Sequence, residues 1–276
     1  MSIEKRIIPA IGHIQLQKLR PVHVKAMMDA IPAPGASRYA HRTLKAALQS
    51  AVDLELVSRN VASSTKPPAA ETAEVDILAP PEITAALEAL RADAIFPVVS
   101  LALATGMRRG ELLALRWSDL DGSAIKVERA VEETAAGVRV KAPKTKHGRR
   151  TISIPSNTVD MLRDHRRQQL EQRMALGLGK PGKDALMFCD AGEDRHTRGD
   201  RITSAWKRAV VPIGINVKFH ALRHTHASAL IADGIDVVTI SRRLGHCSPA
   251  FTLRVYAHMF APTDKAAAAA IGKLLG

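Results

Sequence analysis

The sequence predicts a mainly α-helical protein with a small antiparallel β-sheet, an α+β fold divided into two domains. Apolar residues recur at helical spacing over most of the chain, and short alternating runs are confined to residues 124–154. A small, polar, proline-bearing segment separates an early helical stretch from a later one. The 276 residues are enough for two domains and at least one sizeable core.

The first domain is predicted to be helical. Pro21 stands at a typical first helical position, and Ser37 is a suitable N-cap for a second helix. The segment that follows is rich in small polar residues and proline, which is typical of a linker. We therefore expect a helical domain at residues 1–66, a linker at 67–76 and a second domain at 77–276.

The second domain is predicted to mix helices with a few strands. Helices are expected from Pro80 to about Leu90, from about Phe96 to Ala104 and from Gly110 to Trp117. Alternating runs predict strands near residues 124–128, 138–141 and 150–154. Helices resume near Asn157, Thr197, His220, Asp236 and Pro249, and in the alanine-rich tail after Pro262.

The charge of the chain favours a polyanionic partner. The formal net charge is +13, and residues 139–183 hold twelve Lys or Arg against three Asp or Glu. On charge alone a solvated face or a membrane-surface contact would also fit. Aromatic residues are only 3% of the chain, which argues against single-strand binding by base stacking and leaves backbone contacts to a duplex open.

The cysteines and the N-terminus indicate where the protein acts. Cys189 and Cys247 are too few for a disulfide framework, so a reducing compartment is expected. The N-terminus lacks the apolar run of a signal peptide, and no segment approaches the length of a membrane span. We expect a cytoplasmic, nucleoid-associated protein, encoded by a bacterium or a phage, without membrane contact.

Six polar residues lie in distinctive local strings. In order these are Thr-Gly-Met-Arg108, Pro-Lys144-Thr-Lys-His-Gly-Arg-Arg, His220-Ala-Leu-Arg223, Leu-Gly-His246 and Val-Tyr256-Ala-His. Two guanidiniums, an amine, two imidazoles and a phenol suit a phosphodiester better than a protein core, because the cations can neutralise phosphate oxygens and the phenol can act as a nucleophile.

Each of these residues alone has a plainer interpretation. Arg108 would be an exposed helix-start arginine, Lys144 part of a solvated loop, and Tyr256 a core residue. His224 and His226 suggest a metal, but no Glu or Cys has the spacing of a zinc helix, so we expect packing or polar-shell roles for them. The sequence therefore predicts neither a metal site nor a cofactor.

The combination of strings resembles one family. The string from Thr105 to Leu120 is similar to the first conserved box of the tyrosine recombinases, the phage-integrase family. The strings around Arg223 and from Leu244 to His258 resemble its later boxes, and five boxes follow in the correct order over residues 105–258. The chain departs from the family pattern at Ala221, where an aspartate is common.

The resemblance implies a set of site residues. Those implied to be catalytic are Arg108, Lys144, His220, Arg223, His246 and Tyr256. Those implied to support them are Glu111, Lys146 and His258, and the expected DNA-binding residues are Lys141, Arg149 and Arg150. In the family, the tyrosine forms a 3′-phosphotyrosyl link and the hairpin lysine protonates the leaving 5′ oxygen, without metal or ATP. Lys146 competes with Lys144 for that role, and His220 is the expected base or proton shuttle for the phenol.

The resemblance also implies function and partners. We expect a site-specific DNA recombinase of the phage or mobile-element type, acting on double-stranded DNA as a homo-tetramer on two sites. Without DNA it would be monomeric or weakly associated, and accessory DNA-bending proteins are possible partners. The first domain would be a core-type DNA-binding domain, and the chain either a naturally short recombinase or one truncated before it. The alternatives are a type IB topoisomerase and a catalytically inactive DNA-binding protein.

Overall fold

The chain folds as two compact units, Met1–Glu74 and Val75–Gly276. The computed structural model describes residues 3–69, 75–134, 137–142, 148–182, 184–190, 192, 195–260, 268 and 271–272. The predicted linker at 67–76 falls partly on residues 70–74, which lie outside the described residues. The predicted roles of the two domains stay predictions.

The first unit is built from helices around its own apolar core. A π-helical turn at Ile3–Ile7 precedes α1 (Ile8–Ile11), α2 (Pro21–Asp29) and α3 (Pro34–Asp53). Val24 and Met27 of α2 are buried in one apolar cluster with Leu44 and Leu48 of α3. The prediction that Ser37 is a cap is wrong. Pro34 opens α3 three residues earlier, and the buried Ser37 hydroxyl donates to the carbonyl of Met28 at 3.2 Å.

The second unit carries most of the helices. They are α4 (Pro80–Leu90), α5 (Phe96–Thr105), α6 (Arg109–Leu112), α7 (Ser156–Ala175), α8 (Gly199–Val210), α9 (Ala221–Ala232), α10 (Val237–Leu244) and α11 (Pro249–Tyr256). Their main core includes the fully buried Leu101, Leu162 and Trp206. The predicted tail helix after Pro262 falls mostly outside the described residues. In the part of the chain that is described, no helix is long and apolar enough to cross a membrane.

Among the described residues of the second unit, five short strands form two antiparallel sheets. They are β1 (Leu120–Asp121), β2 (Ala124–Val127), β3 (Ala130–Thr134), β4 (Gly137–Lys141) and β5 (Arg150–Ser153). One sheet has the order β1-β2-β5, and β3 pairs with β4 alone. Ile125 of β2 faces Ile152 of β5 in register, and both are buried in the core. The sequence predicted β2, β4 and β5 but missed β1 and β3, which lack a clean alternation.

The helix predicted from Gly110 to Trp117 is wrong in length, because α6 ends at Leu112. Residues 112–115 are all buried, so this stretch has no solvent face of the kind a surface helix presents. The backbone of residues 115–117 instead forms hydrogen bonds with that of residues 185–187. The amide of Trp117 donates to the carbonyl of Ala185 at 3.0 Å, and that of Met187 donates to the carbonyl of Leu115 at 2.9 Å. Tertiary pairing has replaced the local helical preference.

Gly106 ends α5 at a crowded point of the second unit. Its φ of +64° is the left-handed conformation that favours glycine. A Cβ at this position would lie 2.6 Å from Cδ2 of His226 and 2.7 Å from Cδ2 of Leu244. Glycine therefore allows α5 to end directly against α9 and α10.

We predict that Gly106→Ala destabilises the protein more than Gly122→Ala. Gly122 has a similar φ of +59°, but a Cβ there would meet nothing within 4 Å. Both changes carry a backbone cost of about 1–2 kcal/mol, and Gly106→Ala adds an overpacking cost of about 1–3 kcal/mol. Urea unfolding of the two variants measures the difference, and equal losses would contradict the packing argument.

Candidate active site

The C-terminal end of α10 collects three arginines. The helix ends at Gly245, whose φ is +66°, and a helix end of this kind carries partial negative charge. Its last carbonyl oxygens each accept from a different guanidinium: that of Arg243 from Arg150 at 2.7 Å, that of Leu244 from Arg223 at 2.8 Å and that of Gly245 from Arg108 at 3.2 Å. Two of the predicted catalytic residues, Arg108 and Arg223, are therefore fixed on successive carbonyls.

Glu111 joins two of these arginines. Its buried carboxylate accepts from Arg108 Nη1 at 2.9 Å and from Arg150 Nη2 at 2.8 Å, and it also caps the amide of Arg108 at 2.9 Å. Burial acts to raise the pKa of Glu111, but the hydrogen bonds and charges of Arg150 and Arg108 outweigh it and hold that pKa below its ordinary value. Glu111 thus holds the backbone and side chain of Arg108 and is ionised at neutral pH. Its supporting role in catalysis stays a prediction.

Arg223 is the most enclosed cation of the site. It lies on α9 with 4% of its surface exposed, and it donates to the carbonyl of Gly106 at 2.6 Å as well as to that of Leu244. Burial, followed by the charge of Arg108, lowers the pKa of Arg223 to about 9, so the guanidinium remains protonated at neutral pH. Among the described residues no carboxylate forms an ion pair with it. The site therefore holds a buried positive charge that suits an anion.

His246 follows α10 directly and is fixed by a neighbouring helix. Its Nδ1 lies 2.7 Å from the hydroxyl of Thr252 on α11, and its ring packs edge-on against Phe251 with centroids 4.8 Å apart. Burial, then the charges of Arg223 and Arg108, lowers the pKa of His246 to about 3. The imidazole is therefore neutral, and none of the described residues bonds its Nε2, which could donate to a phosphate oxygen.

Tyr256 lies at the end of α11 with its phenol buried. Only 1% of the residue is exposed, and it packs with Ile231 of α9 and Leu244 of α10. Its hydroxyl oxygen is 2.7 Å from Nδ1 of His224. Burial raises the pKa of Tyr256 to about 12, although the charge of Arg223 acts in the opposite direction. The phenol is therefore protonated and needs a proton acceptor before it can attack.

The contact to the phenol comes from His224 and not from His220. His220 is exposed at the start of α9, and its ring meets that of His224 edge-on with centroids 4.9 Å apart. From the sequence, His220 was the expected base and His224 had a packing or polar-shell role, so the direct contact between His224 and the phenol was not predicted. The signal was present, because residues four apart share a helix face, which places His224 beside His220.

The remaining predicted residues have varied positions. Lys144 and Lys146 lie outside the described residues. Arg149 and His258 are exposed, and Lys141 forms an ion pair with Glu132 on the neighbouring strand β3. Their roles stay predictions.

Arg150 differs from the free DNA-binding cation that the sequence suggested. Its side chain is only 7% exposed and is paired with Glu111. This contact favours an orienting role over a direct DNA contact. As for metals, no group of three or more His, Cys, Asp or Glu side chains in the described part of the chain is arranged to hold an ion.

We predict a pH-dependent loss of stability in Glu111→Gln. Because the folded-state pKa of Glu111 is lowered, its ion pairs stabilise the protein above the ordinary value of 4.5, and this contribution is lost as the pH falls through the folded-state pKa. The variant should lose on the order of 3 kcal/mol of unfolding free energy at pH 7, and the gap to wild type should close in acid.

Glu88→Gln is the matched control for this prediction. Its partner Arg91 and Glu88 itself are 75% and 69% exposed, so the change should cost less than about 1 kcal/mol. If the difference in unfolding free energy between Glu111→Gln and wild type does not vary between pH 7 and pH 3, the ion-pair argument is contradicted.

Comparison with known proteins identifies the family. The profile of the phage integrase family matches residues 78–262. A tyrosine recombinase XerC-like protein of Caldanaerobacter subterraneus is 31% identical over 201 residues, which cover 67% of this chain and 51% of that protein. The integrase of Mycobacterium phage L5 is 26% identical over 279 residues, 98% of this chain and 72% of that protein. The chain thus spans about half the length of the first relative.

Solved structures share the fold. The Tn1549 transposon integrase in complex with transposon right end DNA has a TM-score of 0.78 at 19% identity, over 100% of this chain and 93% of that one. A lambda integrase tetramer bound to a Holliday junction has a TM-score of 0.66 at 18% identity, over 94% of this chain and 69% of that one. These likenesses confirm the predicted mainly α fold with small antiparallel sheets. The match of the family profile over residues 78–262 shows that the chain belongs to the phage integrase family of tyrosine recombinases.

Proposed function

We propose that this chain is a site-specific DNA recombinase that cleaves and rejoins strands through Tyr256. The observation that carries the proposal is the shared anchoring of Arg108 and Arg223 on the end of α10, next to His246. Two fixed cations and a neutral imidazole at one helix end suit a phosphodiester. The charge of Arg223 also acts on the phenol of Tyr256, which supports a phosphate position within reach of both.

The proposed reaction needs no water and no external energy source. The Tyr256 oxygen attacks phosphorus, a 3′-phosphotyrosyl bond forms, and the bond to the 5′ oxygen breaks. Lys144, or Lys146 in its place, gives that oxygen a proton. Arg108 and Arg223 neutralise charge on the non-bridging oxygens, and loss of one such donor typically costs about 10²–10³ in rate. In the second half a 5′-hydroxyl of another strand attacks the phosphotyrosine and releases the enzyme.

The charge distribution supports a duplex DNA partner. The surplus of basic residues between 139 and 183 suits a polyanionic backbone. We propose Lys141 and Arg149 as DNA contacts, and the unit Met1–Glu74 as a core-type DNA-binding domain. DNA as the substrate implies action in the bacterial cytoplasm.

Assembly as a homo-tetramer on two DNA sites is part of the proposal. The lambda integrase that shares this fold is a tetramer on a Holliday junction, and strand exchange between two duplexes requires four cleavages. We propose that the free protein is monomeric or weakly associated, that the tail after Pro262 links neighbouring subunits, and that accessory DNA-bending proteins assist. A type IB topoisomerase would relax supercoils without paired sites, so a relaxation assay separates that alternative.

We predict that Tyr256→Phe abolishes covalent attachment to DNA. Nicked duplexes of randomised sequence let the cleaved fragment diffuse away, so the protein–DNA adduct accumulates and its DNA can be sequenced. Wild type should form a denaturant-stable adduct in EDTA, whereas Tyr256→Phe should form none because it lacks the attacking oxygen. Tyr39→Phe is the control, since Tyr39 is the other of the two tyrosines. An adduct from Tyr256→Phe, or none from wild type, would refute the proposal.

We predict that Lys144→Ala is rescued by a better leaving group. Its cleavage of ordinary DNA should fall by about 10²–10⁴, the usual contribution of a general acid. A substrate with sulfur in place of the 5′ oxygen leaves without protonation, so it should restore cleavage. Lys146→Ala is the matched comparison and should need no rescue. If Lys146→Ala is the variant that the sulfur substrate rescues, the general acid is Lys146.

A further inference from the structure

The buried phenol of Tyr256 has one hydrogen-bond partner among the described residues, and it is an imidazole. His224 Nδ1 lies 2.7 Å from the phenol oxygen. His224 is half-buried on α9, directly after Arg223, and its ring is tilted against that of Tyr256 with centroids 5.7 Å apart. Ring packing and the hydrogen bond together fix the nucleophile against α9.

Burial and the neighbouring charges keep the His224 imidazole neutral. Burial first, then His220 and Arg223, lower the pKa of His224 to about 4, while Asp76 acts weakly in the opposite direction. Arg223 also acts on the phenol of Tyr256, and His246 is close enough to His224 for the two imidazoles to interact electrostatically. Arg108 donates to the same helix end as Arg223. A neutral imidazole has one ring nitrogen with a free lone pair, so it can accept a proton at physiological pH.

The burial of the phenol decides the direction of the hydrogen bond. If Nδ1 carried the hydrogen and donated to the phenol oxygen, the phenol hydrogen would be left without an acceptor among the described residues. A buried unsatisfied donor is costly, so the phenol donates to the lone pair on Nδ1 and the imidazole proton sits on Nε2. His224 is therefore already positioned to take the proton that Tyr256 has to lose.

We propose that His224 is a catalytic residue that accepts the Tyr256 proton through Nδ1 as the phenol oxygen attacks phosphorus. This rests on the proposed role of Tyr256 as the nucleophile. The O–H bond of Tyr256 breaks, an N–H bond forms on His224, and the electron pair left on oxygen forms the bond to phosphorus. In the rejoining step the phosphotyrosyl bond breaks, and His224 returns the proton to the phenol oxygen. No other reactant is needed.

His220 does not have this contact. It is exposed, its ring stands edge-on to that of His224 with centroids 4.9 Å apart, and no hydrogen bond joins it to Tyr256 within the described residues. Because His220 does not contact the phenol, it is available to bind the phosphate or to take the proton onward from His224. Substitution of His224 and substitution of His220 should therefore affect the cleavage rate differently.

The test compares His224→Asn with His220→Asn on the DNA sequence recovered from wild-type adducts. Asparagine places an amide near the position of Nδ1 but cannot accept a proton. Single-turnover cleavage by His224→Asn should fall by about 10²–10⁴ at pH 7, and a 5′-sulfur leaving group should not restore it. Its rate should then rise about tenfold per pH unit up to pH 10, because Tyr256, with a pKa of about 12, must ionise without help. Wild type and His220→Asn should lack that slope.

Two results would overturn the proposal. One is a cleavage rate of His224→Asn that is reduced by the same factor at every pH, which indicates a structural role for His224. The other is the tenfold slope in His220→Asn instead, which assigns the proton to His220. His224→Phe is the second variant, since it keeps a ring between His220 and Tyr256, and it should show the same slope if His224→Asn fails to fold.

A measurement without DNA separates this proposal from the proposed function. Long-range ¹H–¹⁵N spectra of ¹⁵N-histidine-labelled protein report the tautomer of each ring, and His224→Asn assigns the His224 signal. We expect an unprotonated Nδ1 whose shift moves in Tyr256→Phe. A protonated Nδ1 would overturn the His224 proposal by itself. The expected tautomer with no wild-type adduct on DNA would instead refute the recombinase function on which the proposal rests, while the direction of the His224–Tyr256 hydrogen bond would stand.

Discussion

The C-terminal end of α10 is the constraint on which the site depends. Guanidiniums from three separate parts of the chain donate to the carbonyls of its last two residues and of Gly245, its C-cap. A helix end supplies distributed negative charge, which lets cations gather without a carboxylate for each one. Glu111 forms ion pairs with both Arg108 and Arg150, which holds these two guanidiniums next to each other. Because His246 follows the same helix end, cations and imidazole are positioned by one element.

The arrangement gives the site an excess of positive potential. Burial and neighbouring arginines lower the pKa of Arg223 to about 9 and that of His246 to about 3. A phosphodiester bound there would offset these repulsions, and the extra charge of its transition state would offset them further. The same charges that destabilise the free site would therefore favour the transition state, which is the condition for catalysis.

Local patterns predicted the parts of the fold that depend on local physics. The helices that begin at Pro80 and Phe96 follow from proline at a first turn and from apolar spacing. The early end of α6 could not be predicted, because it depends on pairing with residues 185–187. The pairing of Arg150 with Glu111 could not be predicted for a similar reason, since the two residues are 39 positions apart in sequence. The motifs located the candidate site, but which imidazole meets Tyr256 depends on how α9 packs against α11.

Helical spacing gives different contacts to the three histidines at the start of α9, which are His220 at the N-cap, His224 and His226. His220 and His224 lie four residues apart on one face, where one is exposed and the other meets Tyr256. His226 is two residues further, about 200° around the helix. Its Nδ1 lies 2.7 Å from the carbonyl of Leu103, and its Nε2 accepts from Arg243 at 3.0 Å. An inserted residue after Arg223 would turn His224 about 100° from the phenol, so the site constrains spacing in this string as strongly as residue identity.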